Sequence, residues 1–227
     1  MIQRSPNDLM DGMPPPIMLQ SVLREHMSGC ERLRGLREAY EGRSAVARRM
    51  RSPGLPNNRI AHPFARYIVA VTTGYLIGRP VAYACASASP TLDAIADALK
   101  RGSAAAVDAE NARNAAIYGR GVEYVHVDAG GMPHVTALSP LDAFVVYEDG
   151  YDMRPLFGVY CIPRAKADGS PDGYRLWVMN DARVVEYHAS DPHGGALTQV
   201  ADTPHFFGGG GHTSLLRRRA AGGVLER

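Results

Sequence analysis

The chain has 227 residues, 45% hydrophobic side chains and a formal net charge of +2, enough for one large or two small domains with a buried core. A sequence pI near 8.5 does not by itself mark a nucleic-acid binder. The three cysteines, Cys30, Cys85 and Cys161, form no CxxC pair and cannot all close within one chain, so a reducing compartment is the simpler inference.

Residues 1–18 are rich in Pro, Met and Asp and are expected to form a flexible arm without a secretory signal. Ile17–Met27 and Glu31–Met50 are predicted as two helices divided at Ser28-Gly29, with Leu33, Leu36 and Tyr40 at helical spacing. Between Arg24 and Arg51 eight arginines accompany four glutamates; a solvated helical face is the plain reading, an electrostatic contact surface the sharper one. Ser52-Pro53-Gly54-Leu55-Pro56 is a breaker, after which Asn57 or Asn58 can cap a helix. Pro63 fits only near that start, where its missing N–H matters little. Ile60, Phe64, Ile68 and Val71 recur at i, i+4, i+8 and i+11, one apolar face expected to pack in the core. His62, Pro63 and Arg66 interrupt the stretch Ile60–Ile77, which is therefore predicted as a buried helix and not a membrane span. Gly74 and Gly78 loosen its end, and Pro80–Tyr83 reads as a short extended segment.

Thr91–Lys100 is predicted as a helix with Leu92, Ile95, Ala96 and Leu99 inward. Asp108–Tyr118 is another, ended by Gly119 as a left-handed cap. From Val122 the period changes to two. Val122–Val127 is followed by a hairpin turn at Asp128-Ala129-Gly130-Gly131. His134–Leu138, Ala143–Tyr147, Leu156–Ile162, Tyr174–Asn180 and Arg183–His188 continue as strands, with turns at Asp149-Gly150 and over residues 167–173. The expected fold class is α+β, N-terminal helices followed by an antiparallel β-meander.

The run NNRIAHPFARYIVAVTTGYLIGRPVAY (residues 57–83) resembles a segment of SPP1-like phage portal proteins: an asparagine-bearing apolar helix with a Gly-Tyr-Leu-x-Gly-x-Pro exit, matched by Gly74, Tyr75, Leu76, Gly78 and Pro80. Ala115–Gly119 followed by Val122–Val125 resembles the family's next helix-to-strand junction. Leu138–Tyr147 is similar to its strand entry, and Leu36–Gly42 to an upstream tyrosine-glycine motif. Each motif alone is weak; their common order over residues 30–207 is fairly specific.

The resemblance implies a portal wing-like domain over 19–207 and a structural, non-enzymatic role in the virion, at the capsid vertex, with assembly in the host cytoplasm. It implies a homo-oligomeric ring, typically a dodecamer in the family. It further implies that double-stranded DNA passes through the ring without sequence specificity, that terminase, capsid or scaffold and head-completion proteins are its partners, and that no membrane is involved. No catalytic, cofactor-binding or metal-binding residue is expected, and Gly74, Gly78, Pro80 and Gly119 set the helix exits. Residues 208–227 depart from the family, whose members are about twice this length. The tail, which includes Arg217–Arg219, is read as aberrant or disordered, and one hypothesis is that it is out of frame.

Two alternatives stay open. A metal-dependent hydrolase would draw on His188, His193, His205 and His212 with Asp191 and Asp202, although zinc needs three or four converging ligands and no HExxH occurs. A monomeric α+β binding module needs no ring. Gly208–Gly211 lacks the lysine of a phosphate loop, Gly119-Arg120-Gly121 follows a helix in the wrong order for a dinucleotide fingerprint, and no GxSxG is present. The cysteines read as buried thiols with no neighbouring histidine in sequence. Glu123, Glu148, Asp149 and Asp152 fall mostly by predicted turns, where solvation is the default. Trp177 reads as core or interface before it reads as a base-stacking platform.

Overall fold

The structure is a computed structural model describing residues 1–43, 50, 52, 54, 62–87, 89–127, 133–193 and 195–204, together with the backbone of 217–220.

Helix α1 (Pro16–Tyr40) runs unbroken through Ser28-Gly29, where the sequence predicts a division. Leu19, Val22, Leu23, His26, Cys30 and Leu33 form one buried stripe on both sides of Gly29. Burial along that stripe outweighs the ~1 kcal/mol that one glycine costs inside a helix. The helix ends at Tyr40 instead of reaching Met50, and Gly42 adopts φ 77° beyond it; residues 44–49 lie outside the described residues, as do the proposed caps Asn57 and Asn58.

Strand β1 (Ile2–Arg4) lies inside the segment expected as a flexible arm. It pairs in parallel with β4 (Ala143–Glu148), and Ile2 and Met13 are buried. Asn180 Nδ2 donates to Gly12 O at 2.9 Å and Arg183 Nη2 to Asp11 O at 2.8 Å, so the arm is tied down along its length. From β4 the chain meanders antiparallel through β5 (Pro155–Ala165), β6 (Pro171–Met179), β7 (Arg183–Ala189) and β8 (Leu197–Pro204), giving a six-stranded sheet ordered β1-β4-β5-β6-β7-β8. Strands β1 and β8 are additions to the sequence reading, as is the strand Arg217–Ala220 inside the tail that was expected to be aberrant or disordered.

Because side chains alternate across a strand, this sheet has two faces with different covers. Phe144, Val146, Phe157, Val159, Leu176 and Val178 pack against Leu19, Val22 and Leu23 of α1. On the opposite face Ala143, Val145 and Met179 meet Val122 and Leu138. These come from β2 (Arg120–Val127) and β3 (Pro133–Leu138), antiparallel partners in a second sheet whose third strand is β9 (Arg217–Ala220), paired with Arg120–Glu123. The hairpin turn predicted at 128–131 lies outside the described residues.

The described residues include three further helices: α2 (Phe64–Ile77), α3 (Pro90–Arg101) and α4 (Ala104–Tyr118). Ser89 caps α3, its Oγ accepting from Leu92 N at 3.3 Å. Helix α2 packs on α4, and α4 leads directly into β2. At that junction Asn111 and Glu123 are both buried, with Asn111 Nδ2 donating to Glu123 Oε2 at 3.1 Å. Gly119 holds φ 76° and donates to Ala115 O at 2.9 Å, the left-handed cap read from the sequence. Nothing crowds the position where a side chain would point, so only the backbone angle restricts it. Gly119→Val is therefore expected to cost about 2 kcal/mol from forced positive φ alone, measured as a lower urea midpoint; an unchanged midpoint would refute the cap.

Candidate assembly interface

The sequence placed Phe64, Ile68 and Val71 on one helical face, and they do share one. The face is turned the other way. At about 100° per residue, Phe64, Tyr67, Ile68, Val71 and Tyr75 span one side of α2, and the buried Val69 lies nearly opposite. Phe64 is 68% exposed, Ile68 61% and Tyr75 91%. The expected core face is thus a solvent face, while Ile60 lies outside the described residues. Val69 is the buried residue of α2, with Ala65, Thr73 and Ile77 half-buried, and the helix packs on α4.

The exposed apolar surface continues beyond α2. Pro80–Tyr83 has no assigned secondary structure, and Val81 and Tyr83 are exposed. On α3, Leu92 and Leu99 are half-buried, but Ile95 and Ala96, expected inward, are exposed. Among the described residues after Ile95, only Tyr151, Met153 and Val200 are exposed large hydrophobics, so the open surface belongs to the helical half. Apolar patches beyond a few hundred Å² mark contact sites on soluble proteins. Helix α2 carries a single charged residue, Arg66, whose guanidinium sits 5.5 Å over the Tyr40 ring. A partner could cover its outer face with little charge desolvation. Gly78 is required at the helix exit, since any Cβ there would collide with the Gly74 carbonyl.

The chemical alternatives fare differently. His188 is engaged by Arg164 at 2.8 Å and lies 3.7 Å from Glu186. The backbone N–H of His193 donates to Asp191 in a turn, and His205 and His212 lie outside the described residues. Among the described residues no group of three or more His, Cys, Asp or Glu is placed to hold a metal ion. Cys85 is exposed, whereas Cys30 and Cys161 are buried. Cys30 has a histidine partner missed in the sequence reading: His26, one helical turn earlier, places Nε2 3.3 Å from Cys30 Sγ and 3.0 Å from Leu141 O. The i,i+4 spacing was the available signal. Burial lowers the His26 pKa to about 4 and pushes the Cys161 thiol up to about 12; burial also raises Cys30. Neither a thiolate nor an imidazolium is favoured there at neutral pH.

Trp177 stacks on Tyr160 at 5.3 Å and lies under the Arg175 guanidinium at 4.8 Å. Arg175 in turn holds Glu186 by two hydrogen bonds of 2.6 and 2.9 Å, and both aromatics pack against the second core. No described helix is long and apolar enough to cross a membrane.

The fold closes two sheet cores and leaves an apolar face of α2 exposed. The chain belongs to the phage portal protein family: the model for phage portal proteins of the SPP1 Gp6-like type matches residues 19–210. With that membership comes a structural role as a phage portal protein. No curated protein matches the chain.

Proposed function

We propose that the chain is a ring-forming component of the capsid vertex. Copies of residues 19–207 assemble around a channel for double-stranded DNA, and terminase, capsid or scaffold and head-completion proteins dock on the ring. It works in the virion after assembly in the host cytoplasm. The family match over residues 19–210 carries this reading. The net charge of +2 suits it, because a strongly cationic lining would grip phosphates and oppose sliding. Native mass spectrometry of the purified full chain at rising concentration tests the proposal. A multi-copy species is expected; a monomer at every concentration would turn the reading to a monomeric binding module.

A further inference from the structure

A cavity of about 470 Å³ lies between α1, the Leu141–Asp142 entry to β4, and strands β5 and β6. Its volume falls in the range of roughly 300–1,000 Å³ that holds small molecules. Leu23, Met27, Leu141, Pro163 and Tyr174 supply apolar wall. The charged lining balances in number, Arg34, Arg37 and Arg43 against Glu38, Glu41 and Asp142, but not in contacts. Glu41 holds Arg37 at 2.8 Å and Arg43 at 2.7 Å. Asp142 is half-buried and bonded to Ser139, and burial raises its carboxyl above the ordinary range. His26, in the same lining, is uncharged at neutral pH, its pKa lowered to about 4 by burial. Arg34 makes no hydrogen bond or ion pair among the described residues, although its positive charge acts on His26, Cys30 and Asp142. One guanidinium on the cavity is thus left without a carboxylate in contact.

We propose that this cavity binds an apolar monocarboxylate, with the carboxylate on the Arg34 guanidinium and the hydrocarbon body against Leu23, Met27, Leu141 and Tyr174. The guanidinium presents its N–H donors as a planar fork that matches the two oxygens of a carboxylate. A single negative charge fits because the rest of the lining is neutral in sum. A phosphate dianion would bring its second charge beside Glu38, Glu41 and Asp142, where like charges repel. An apolar body fits because its burial against the hydrocarbon wall offsets the desolvation of the acid. A free small acid and the C-terminal residue of a peptide carry the same group, and the test separates these two sources.

The test titrates the full chain with N-acetyl-L-leucine and, as the uncharged control, its amide, read by saturation-transfer NMR. The acid is expected to bind, and the amide about tenfold more weakly or less, since only the acid forms a charge-assisted bond. Arg34→Gln should weaken the acid by about tenfold or more. Arg34 is exposed, so unchanged thermal unfolding of that variant is the folding control. Asp142→Asn should act in the opposite sense and tighten the acid a few-fold, because it removes a negative charge near the bound carboxylate. Opposite effects from two lining substitutions would not arise from a general loosening of the fold. A Gly-Gly-Gly-Gly-Leu peptide with a free C-terminus that binds more tightly than N-acetyl-L-leucine assigns the site to a peptide terminus; equal or weaker binding assigns it to a free acid. Absence of binding by both acids, equal binding of acid and amide, or an Arg34→Gln variant that binds as wild type overturns the proposal.

Discussion

Replacing Phe157 by alanine is expected to remove about 4 kcal/mol of unfolding free energy, a large part of the 5–15 kcal/mol typical of a domain. Phe157 has no exposed surface and is the largest fully buried side chain described. It sits on β5 opposite Val146 of β4 and shares a core with Leu19 and Leu23 of α1. Truncation loses the transfer free energy of the ring and leaves a cavity that a β-strand and a 25-residue helix cannot readily collapse. Phe157→Leu fills most of that volume and should cost only about 1 kcal/mol. Urea denaturation reads the difference as a fall in midpoint at constant slope. A loss below about 1 kcal/mol for the alanine variant would mean that α1 does not close this core. The comparison with Ile68 is informative. At 61% exposure, Ile68→Ala should leave the isolated chain within about 0.5 kcal/mol of wild type.

The sequence made some of this legible and hid the rest for identifiable reasons. The α+β class, with helices first and antiparallel strands second, was readable because period and composition change together at Val122. Gly119 was readable because a glycine at the end of a helical pattern has one common use. The continuity of α1 was not, because Ser28-Gly29 has the local signature of a break and only the buried stripe across it decides otherwise. Strand β8 was hidden because LTQVADTP is exposed along nearly its whole length and owes its conformation to the ladder with β7. Strand β1, three residues long, carries too little pattern to read. The outward direction of the α2 face shows the limit of periodicity. Spacing identifies which residues share a face, and only packing determines which way the face looks. That direction matters most for function, since the same residues turned inward would be ordinary core.

Lowering the pH from 6.5 to 4 is expected to destabilise the isolated fold through His26. The ring is stacked on Phe144 at 4.3 Å, is buried, donates from Nε2 to Leu141 O, and has that same Nε2 3.3 Å from Cys30 Sγ. Burial is the main cause that lowers its pKa from 6.5 to about 4; the Leu141 carbonyl opposes this, and the positive charges of Arg120 and Arg34 add to it. The sign follows from proton counts. Between these two values the unfolded chain binds a proton at His26 that the fold rejects, so stability is full above pH 6.5 and declines as pH falls to 4. The full span corresponds to about 3 kcal/mol. Asp142 works the other way, because burial raises its carboxyl above the ordinary carboxylate range; protonating it on acidification relieves a charged group that the fold disfavours, and the net loss is smaller than the His26 contribution alone. Cys30 and Cys161, whose thiols are pushed up, stay neutral throughout this window and contribute no slope. His26→Gln keeps an amide donor for Leu141 O and cannot take up the proton. Its Tm should therefore change little from pH 6.5 to 4.5, while the wild-type Tm falls by several degrees, at roughly 2–4 °C per kcal/mol for a chain of this size. Parallel curves for the two proteins would show that the imidazole titrates freely in the fold, and that the seam between α1 and the β4 entry is open to water.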